Sequence, residues 1–479
     1  MRNLLILFIF FVLIDELKAQ QESNASTFYA SFRSYISGGK DLPFWIRANQ
    51  NGAFPVGNNT TQLLRTGFYR NMDTDHSSSW DYFMGAELVA GFAGEPYFQP
   101  NQYWAGARYR WLVLKAGAEA DPIRFGGLSS TNGNLDASNN ARPVPNVSLA
   151  TNGYVPFPLI GSVLNWKALY SEGIMWDNSY IQNARMHHKN LYFRVNLSGN
   201  WNLSTGVEHY VFWGGISPTE GKIATRGEYI YFVSGIRINH GSSLGDGINL
   251  PENHLGIYNF EANKRWQNKS LTLYWNHPFE NRAGMKMGTP TDGLWGISWE
   301  AFKKQQYLTG VVYELMNMRD QESFDALSGS VKGNNDYFND QTYRSGYTHY
   351  AQMMGSPLFV PTLDAAGVST GFRNNLIRMH HIGLKGFLMK NLSWKTMFTY
   401  TKNYGSYTSV YPVAVSEFSF LSEFNYLLPH LPLQLSAALA GDSGELFEKR
   451  VGFYLGLRWE PREERRSKHG PWVIQKKRK

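Results

Sequence analysis

Three kinds of constellation in this chain hold residue types that carry chemistry. The pairs His187-His188 and His380-His381 offer imidazoles to a metal ion. The run Asn334-Asn335-Asp336-Tyr337-Phe338-Asn339-Asp340 supplies oxygens of the kind calcium takes. Gly441-Asp442-Ser443-Gly444 has the form of a serine-protease nucleophile segment. Each lacks what its chemistry requires. Neighbours on a strand point to opposite faces, so neither histidine pair can clamp one ion. The oxygen-rich run has neither the glycine nor the terminal glutamate spacing of an EF-hand loop. A serine nucleophile needs a base and an orienting acid around it; nothing else supplies them, and turn-forming residues account for the segment as a loop between Ala440 and Lys449. The chain reads as a non-enzyme, with no catalytic residue, no metal and no cofactor.

The elements that must position any site are strands. Between Leu191 and Trp213, Leu191, Phe193, Val195 and Leu197, then Leu203, Val207, Val211 and Trp213, fall on alternate positions. Arg194, Asn196, Ser198, Asn202, Ser204 and Glu208 interleave with them, and Gly199-Asn200 marks the turn. Period-two alternation across a short turn predicts an antiparallel hairpin. An apolar face opposite a charged one suits a wall between lipid and water.

Composition points the same way. There is no cysteine, which excludes disulfides, thiolate metal sites and a lipid-anchor cysteine. The start reads as a signal peptide over residues 1–19: Arg2, the apolar run Leu4–Ile14, then Leu17-Lys18-Ala19. Beyond it no run approaches the roughly 18 apolar residues of a spanning helix. The 15 Trp, 28 Tyr, 30 Phe and 46 Gly are dispersed, as the interfacial girdles of a lipid-facing barrel require. The tail, residues 461–479, is strongly basic and carries most of the net charge of +8. The remainder is near neutral, so the charge does not argue for nucleic acid.

Further strand pairs repeat the scheme: Leu255–Trp266 with Leu271–His277, Leu294–Phe302 with Tyr307–Asn317, Leu376–Met389 with Trp394–Tyr404, and Glu417–Leu427 with Leu433–Ala440. Their turns are short, and the segments between pairs, such as Met318–Asn375 and Gly405–Ser416, are long. Short periplasmic turns and long extracellular loops are the layout of an outer-membrane barrel. Arg450–Trp459 then closes the chain downward. Upstream strands are expected near Thr61–Arg70, Trp80–Phe92, Tyr97–Tyr109, Trp111–Ala120, Val144–Ala150 and Gly161–Tyr170, with a first around Phe44–Asn51. The count is eighteen, even as closure requires, in one barrel domain over residues 20–460. Glu228–Asn239 is also strand-like, but alone it would invert the parity.

Several motifs cluster at predicted strand ends: Asn140-Ala141-Arg142-Pro143, Asn183-Ala184-Arg185-Met186-His187-His188, Phe212-Trp213-Gly214-Gly215, Asn253-His254-Leu255-Gly256, Asp292-Gly293-Leu294-Trp295-Gly296, Tyr343-Arg344-Ser345-Gly346-Tyr347 and Asn374-Asn375-Leu376 through His380-His381-Ile382-Gly383. In this order they resemble the Wzi family of capsule assembly proteins, over roughly Pro43 to Trp459. The resemblance implies an eighteen-stranded outer-membrane barrel lectin that helps attach capsular polysaccharide to the cell surface. One departure stands out: Gln20–Pro43 shows no sign of the N-terminal helical bundle that plugs the periplasmic end in the better-known branch.

Sugars are held by aromatic platforms and by planar Arg, Asn and Asp groups; Arg also pairs bidentately with uronate carboxylates. Arg142, Trp213, Asn253, Asp292, Trp295, Tyr343, Arg344, Tyr347 and Asn375 supply these types near predicted extracellular ends. The expected partners are surface polysaccharide and outer-membrane lipid, bound by a monomer. The alternative is a porin for small solutes, which needs an open lumen; the long loops look able to cover it. Alternation also predicts that Val195→Arg blocks insertion while Asn196→Arg is tolerated.

Overall fold

The computed structural model describes residues 26–461 except 56, 73–77, 162, 224–228, 230–232, 234–251, 281, 303–305 and 322–335. The signal-peptide reading, almost all of the basic tail and most of Glu228–Asn239 fall outside the described residues.

Eighteen strands close into one antiparallel cylinder. They are β1 (Ser26–Ser37), β2 (Thr60–Arg70), β3 (Trp80–Ala93), β4 (Glu95–Tyr109), β5 (Leu112–Ala118), β6 (Asn146–Thr151), β7 (Leu164–Ile174), β8 (Arg185–Leu197), β9 (Trp201–Trp213), β10 (Glu252–Arg265), β11 (Lys269–Phe279), β12 (Gly293–Ala301), β13 (Gly310–Asn317), β14 (Ile377–Met389), β15 (Leu392–Ser406), β16 (Ser409–Leu427), β17 (Leu433–Gly444) and β18 (Arg450–Trp459). Each pairs with its sequence neighbour, and β1 closes the ring by pairing with both β2 and β18. Both ends of the ring strands lie at the short-turn end, as the parity required.

Alternation sorts the two faces. On β18, Phe453 is 50 % and Leu455 60 % exposed, while Tyr454 between them is 3 % exposed. Leu435, Leu439, Ile297, Leu273, Leu191 and Phe193 continue the outward apolar belt. Glu208, Glu314, Asn276, Ser298 and Thr399 point into the lumen and are buried.

Four expectations need correction. The first strand is Ser26–Ser37, not Phe44–Asn51. Phe44–Arg47 is a single helical turn, α1, whose Phe44, Trp45 and Ile46 are all buried; consecutive burial cannot come from a two-faced wall strand. Gly441-Asp442-Ser443-Gly444 is the end of β17 rather than a loop, with Asp442 turned inward against Arg450. Gly405–Ser416 is not an irregular loop either, because β15 and β16 run on as a hairpin to Ser406 and Ser409. Finally, Val195 lies two residues from the end of β8, close to a turn, so the bilayer midplane falls at other positions.

Stretches that fold inward from the long-loop end fill the lumen, among them one around α1, one over residues 121–144 and one over residues 336–360 that bonds to the second. In the second, Ser129, Ser130, Thr131, Asp136, Asn139 and Asn140 are buried although all are polar. Ser129 and Ser130 find their partner in Glu314 on the wall, whereas Asn139 and Asn140 donate to the loop carbonyls of Asp121 and Met353.

Candidate functional site

Glu314, Glu208 and His381 are among the wall residues that hold the inward stretches; Asp442, which accepts from Phe44 N at 2.9 Å, is another. Glu314 on β13 is fully buried; its Oε1 accepts from Ser129 Oγ (2.5 Å) and Tyr274 Oη (2.6 Å), and its Oε2 from Ser130 N (2.8 Å) and Ser130 Oγ (2.5 Å). Tyr274 reaches it because its ring lies flat across Gly296, its direct partner on β12, where any Cβ would overlap the ring. Glu208 on β9 accepts from Asn134 Nδ2 at 3.0 Å, Tyr210 Oη at 2.8 Å and Tyr192 Oη, and pairs with His188 Nε2 at 3.0 Å. His381 on β14 ties the α1 and 121–144 stretches together. Its Nε2 donates to the Leu128 carbonyl (2.7 Å), which leaves Nδ1 to accept from Thr399 Oγ1 (2.7 Å). That hydroxyl in turn accepts from Trp45 Nε1 at 3.0 Å. One tautomer of a neutral imidazole satisfies every member of the chain. Gly383, also on β14, lets the backbone at Leu128 approach the wall closely.

The histidine pairs therefore part as alternation demands. His188 and His381 enter the lumen; His187 turns outward to Glu172 (2.6 Å), and His380 outward to Tyr313 Oη (2.8 Å). Among the described residues no three His, Cys, Asp or Glu side chains are grouped to hold a metal. In the oxygen-rich run, Asp340 Oδ1 accepts the Thr342 and Tyr343 amides, and Asp336 Oδ1 accepts from Asn375.

At the loop rim, three segments interlock around Asp177. Its Oδ2 accepts from Tyr350 N (2.8 Å) and Ser179 Oγ (2.7 Å), and Tyr180 N donates to Ser345 Oγ at 2.8 Å. Arg142 lies 3.7 Å over the Tyr350 ring and donates to Gln99, while its carbonyl accepts from His349 Nδ1 at 2.7 Å. Exposed Arg344 sits 4.8 Å over Tyr180. Tyr343 is buried and donates to the Gly214 carbonyl at 3.1 Å; it lines a small pocket with Met175, Ile181, Phe212 and Ser345. Tyr347 is buried beneath, beside Phe212 and Tyr210. Trp213 stands next to this group but turns to the outer wall, with Arg185 5.1 Å over its ring.

The other four candidates lie apart. Trp295 points outward from β12, stacked on Trp275 at 4.7 Å, as a girdle residue does. Asn253 is half-buried on β10 opposite Phe212. Asp292 and Asn375 are fully buried in loop packing: Asp292 Oδ1 accepts the Asp320 amide (3.1 Å), and Asn375 Nδ2 donates to Asp336 Oδ1 (2.5 Å) and the Tyr337 carbonyl (2.8 Å). Burial pushes the Asp292 carboxyl up to about 6. Sequence reasoning missed Trp176, which is 57 % exposed, together with Tyr180 and Tyr350 on the same rim. Their only signal is the concentration of aromatic residues beside Asp177 and His349.

Comparison with known proteins agrees with this architecture. The family profile described as capsule assembly protein Wzi matches residues 123–385, more than half the chain. Among solved structures, the Escherichia coli protein described as Wzi, an outer membrane protein involved in group 1 capsule assembly and a carbohydrate-binding β-barrel, is similar at 14 % identity and a TM-score of 0.54, over 93 % of this chain and 87 % of that one. OpdL of Pseudomonas aeruginosa is 10 % identical with a TM-score of 0.47, over 91 % and 98 %. OprD of the same organism is 11 % identical with a TM-score of 0.46, over 91 % and 95 %. No functionally curated protein matches. The chain is an outer-membrane β-barrel and belongs to the Wzi family of capsule assembly proteins.

Proposed function

We propose that this protein is a non-enzymatic lectin that holds capsular or other surface polysaccharide at its loop rim and helps attach it to the cell. The observation that carries the reading is the pairing at the rim. Arg142 over Tyr350 and Arg344 over Tyr180 set planar cations beside aromatic rings, with Trp176 exposed nearby. Aromatic faces suit the C–H faces of sugars, and guanidinium groups suit hydroxyls and uronate carboxylates. Of the nine residues singled out in the sequence, Arg142 and Arg344 keep a direct role in this reading. Tyr343 and Tyr347 position the rim from below, and Trp213 flanks it. Asp292, Asn375, Asn253 and Trp295 support the barrel and its loops. The polysaccharide is the partner, the chain acts as a monomer, and lipid surrounds the apolar belt.

Capsular oligosaccharide titrated into the purified barrel tests the reading directly. Binding that weakens in Arg344→Gln supports it, and absence of binding to any surface glycan of the cell defeats it. Deleting the gene is expected to leave polymer synthesis intact and to shed the polymer into the medium.

A further inference from the structure

Several cations inside this barrel are paired with carboxylates. On the strands of one sector, Lys385 meets Glu300 at 2.9 Å and Lys395 meets Glu423 at 3.7 Å; across the ring, Arg450 meets Asp442 at 2.6 Å. The outer face of that sector is different. The register aligns Asn317 on β13, Arg378 on β14, Lys402 on β15 and Ser416 on β16 in one outward row at the loop end. Arg378 and Lys402 are direct cross-strand partners and both are exposed. Like charges placed opposite each other destabilise a strand pair. None of these four is a carboxylate; Glu445 comes next beyond Ser416, its amide donating to the Ser416 carbonyl at 3.0 Å, while Asn317 Nδ2 also meets the Thr291 carbonyl (3.2 Å) and Ser416 Oγ meets Tyr400 Oη (3.0 Å). The next row down is Leu315, His380, Tyr400 and Phe418, and the one below it Tyr313, Ile382, Phe398 and Phe420. Above the cations, Arg319 lies 4.5 Å over the Tyr404 ring.

Read from top to bottom, the sector passes from hydrogen-bond donors, through a tyrosine and histidine band, to an apolar aromatic wall. That sequence mirrors a lipid seen from its headgroup to its chains. An anion on the donor row relieves the Arg378–Lys402 repulsion, and phosphate matches a guanidinium, an ammonium and two neutral donors better than a single carboxylate does.

We propose that the outer wall across β13–β16 is a docking site for a phosphate-bearing lipid of the outer leaflet. Its phosphate bridges Arg378 and Lys402, Asn317 and Ser416 donate at the flanks, and its chains lie along Tyr313, Phe398 and Phe418. Held there, the lipid fixes the depth and rotation of the barrel beneath its polysaccharide rim, a surface it does not share.

The test uses the full chain in detergent and native mass spectrometry. One arm supplies a glycolipid carrying two phosphates, another the same glycolipid with the phosphates removed, and a third adds inorganic phosphate as competitor. The wild type is expected to retain the phosphorylated lipid selectively, and inorganic phosphate at equal concentration is expected not to displace it. Each cation removed near an anionic membrane surface weakens retention roughly fivefold, so Arg378→Gln combined with Lys402→Gln loses roughly 25-fold. Arg378→Lys, which keeps the charge, retains most of it and controls for folding. Equal retention of the two glycolipids, displacement by inorganic phosphate, or a double variant that binds lipid normally but loses oligosaccharide would each overturn the assignment.

Discussion

The lumen wall and the loop rim both set charged groups beside tyrosines, to opposite ends. On the wall, Glu314 takes four hydrogen bonds and Glu208 is crowded by Asn134, Tyr192, Tyr210 and His188. At the rim, Arg142 and Arg344 lie over tyrosines, and Arg344, Tyr350 and Trp176 remain open to solvent. Desolvated carboxylates must be satisfied within the fold. Solvated guanidinium–aromatic pairs keep a face for a ligand. Exposure and satisfaction separate anchor from binding surface.

The sharpest way to break the contrast is to remove an anchor. Glu314→Leu orphans the Ser129 and Tyr274 hydroxyls and both donors of Ser130, each costing about 1–3 kcal/mol unless it finds water. We expect a total of roughly 3–6 kcal/mol, measured as an earlier collapse of the heat-resistant folded band on gels. Planar-bilayer conductance should rise at the same time, from near silence to a resolvable channel. An unchanged, silent barrel would mean that the inward stretch is held elsewhere.

The outer belt gives the next largest effect. Leu439, outward and mid-strand on β17, should cost roughly 2–4 kcal/mol as arginine, whereas Val195 near its turn should cost about 0–1. Urea titration of folding into phospholipid vesicles measures both. Equal costs would remove the depth dependence that a bilayer imposes.

A smaller effect separates the two sets of loops by pH. The Asp292 carboxyl is raised by burial to about 6, above its ordinary value of 3.8. The folded loop therefore binds its proton more tightly than the unfolded chain does. The stabilisation is complete below about pH 4 and disappears as pH rises through 6, by at most about 3 kcal/mol. Hydrogen exchange at the Asp320 amide, corrected for intrinsic rate, should show more protection at pH 4.5 than at pH 7 in the wild type. Asp292→Asn should flatten that difference.

The barrel was legible because most wall strands alternate an outward apolar face with a more polar inward one, and closure imposes an even count. What failed had no such pattern. Ser26–Ser37 carries aromatic residues on both faces, with Tyr29 and Tyr35 inward and Phe28 and Phe32 outward, so its alternation is hidden; Phe44-Trp45-Ile46 imitates a strand because it is wholly buried. Among rim candidates, an arginine or tyrosine at a loop end looks the same in sequence whether it ties loops or faces solvent. Tyr347 and Asn375 are buried because folded loops need a core of their own, and Trp295 faces outward against Trp275. Tyr350 escaped notice since exposure is decided by packing against Arg142, some two hundred residues away.

The smallest expected effect is also the most informative about the rim. Arg344→Gln removes a charge but leaves Tyr180 held through its amide on Ser345. Tyr350→Ala removes the ring beneath Arg142 yet keeps the Asp177 contact, which uses backbone. Exposed stacking and hydrogen-bonding groups contribute on the order of 1 kcal/mol each. We therefore expect roughly fivefold weaker oligosaccharide binding in each single variant by calorimetry, with folding stability unchanged. Buried Tyr343→Phe supplies the contrast, since losing its bond to the Gly214 carbonyl should lower stability by about 1 kcal/mol and touch binding only through the loops. If Tyr343→Phe weakened binding more than Arg344→Gln did, the sugar would lie in the pocket between the loops rather than on the rim above it.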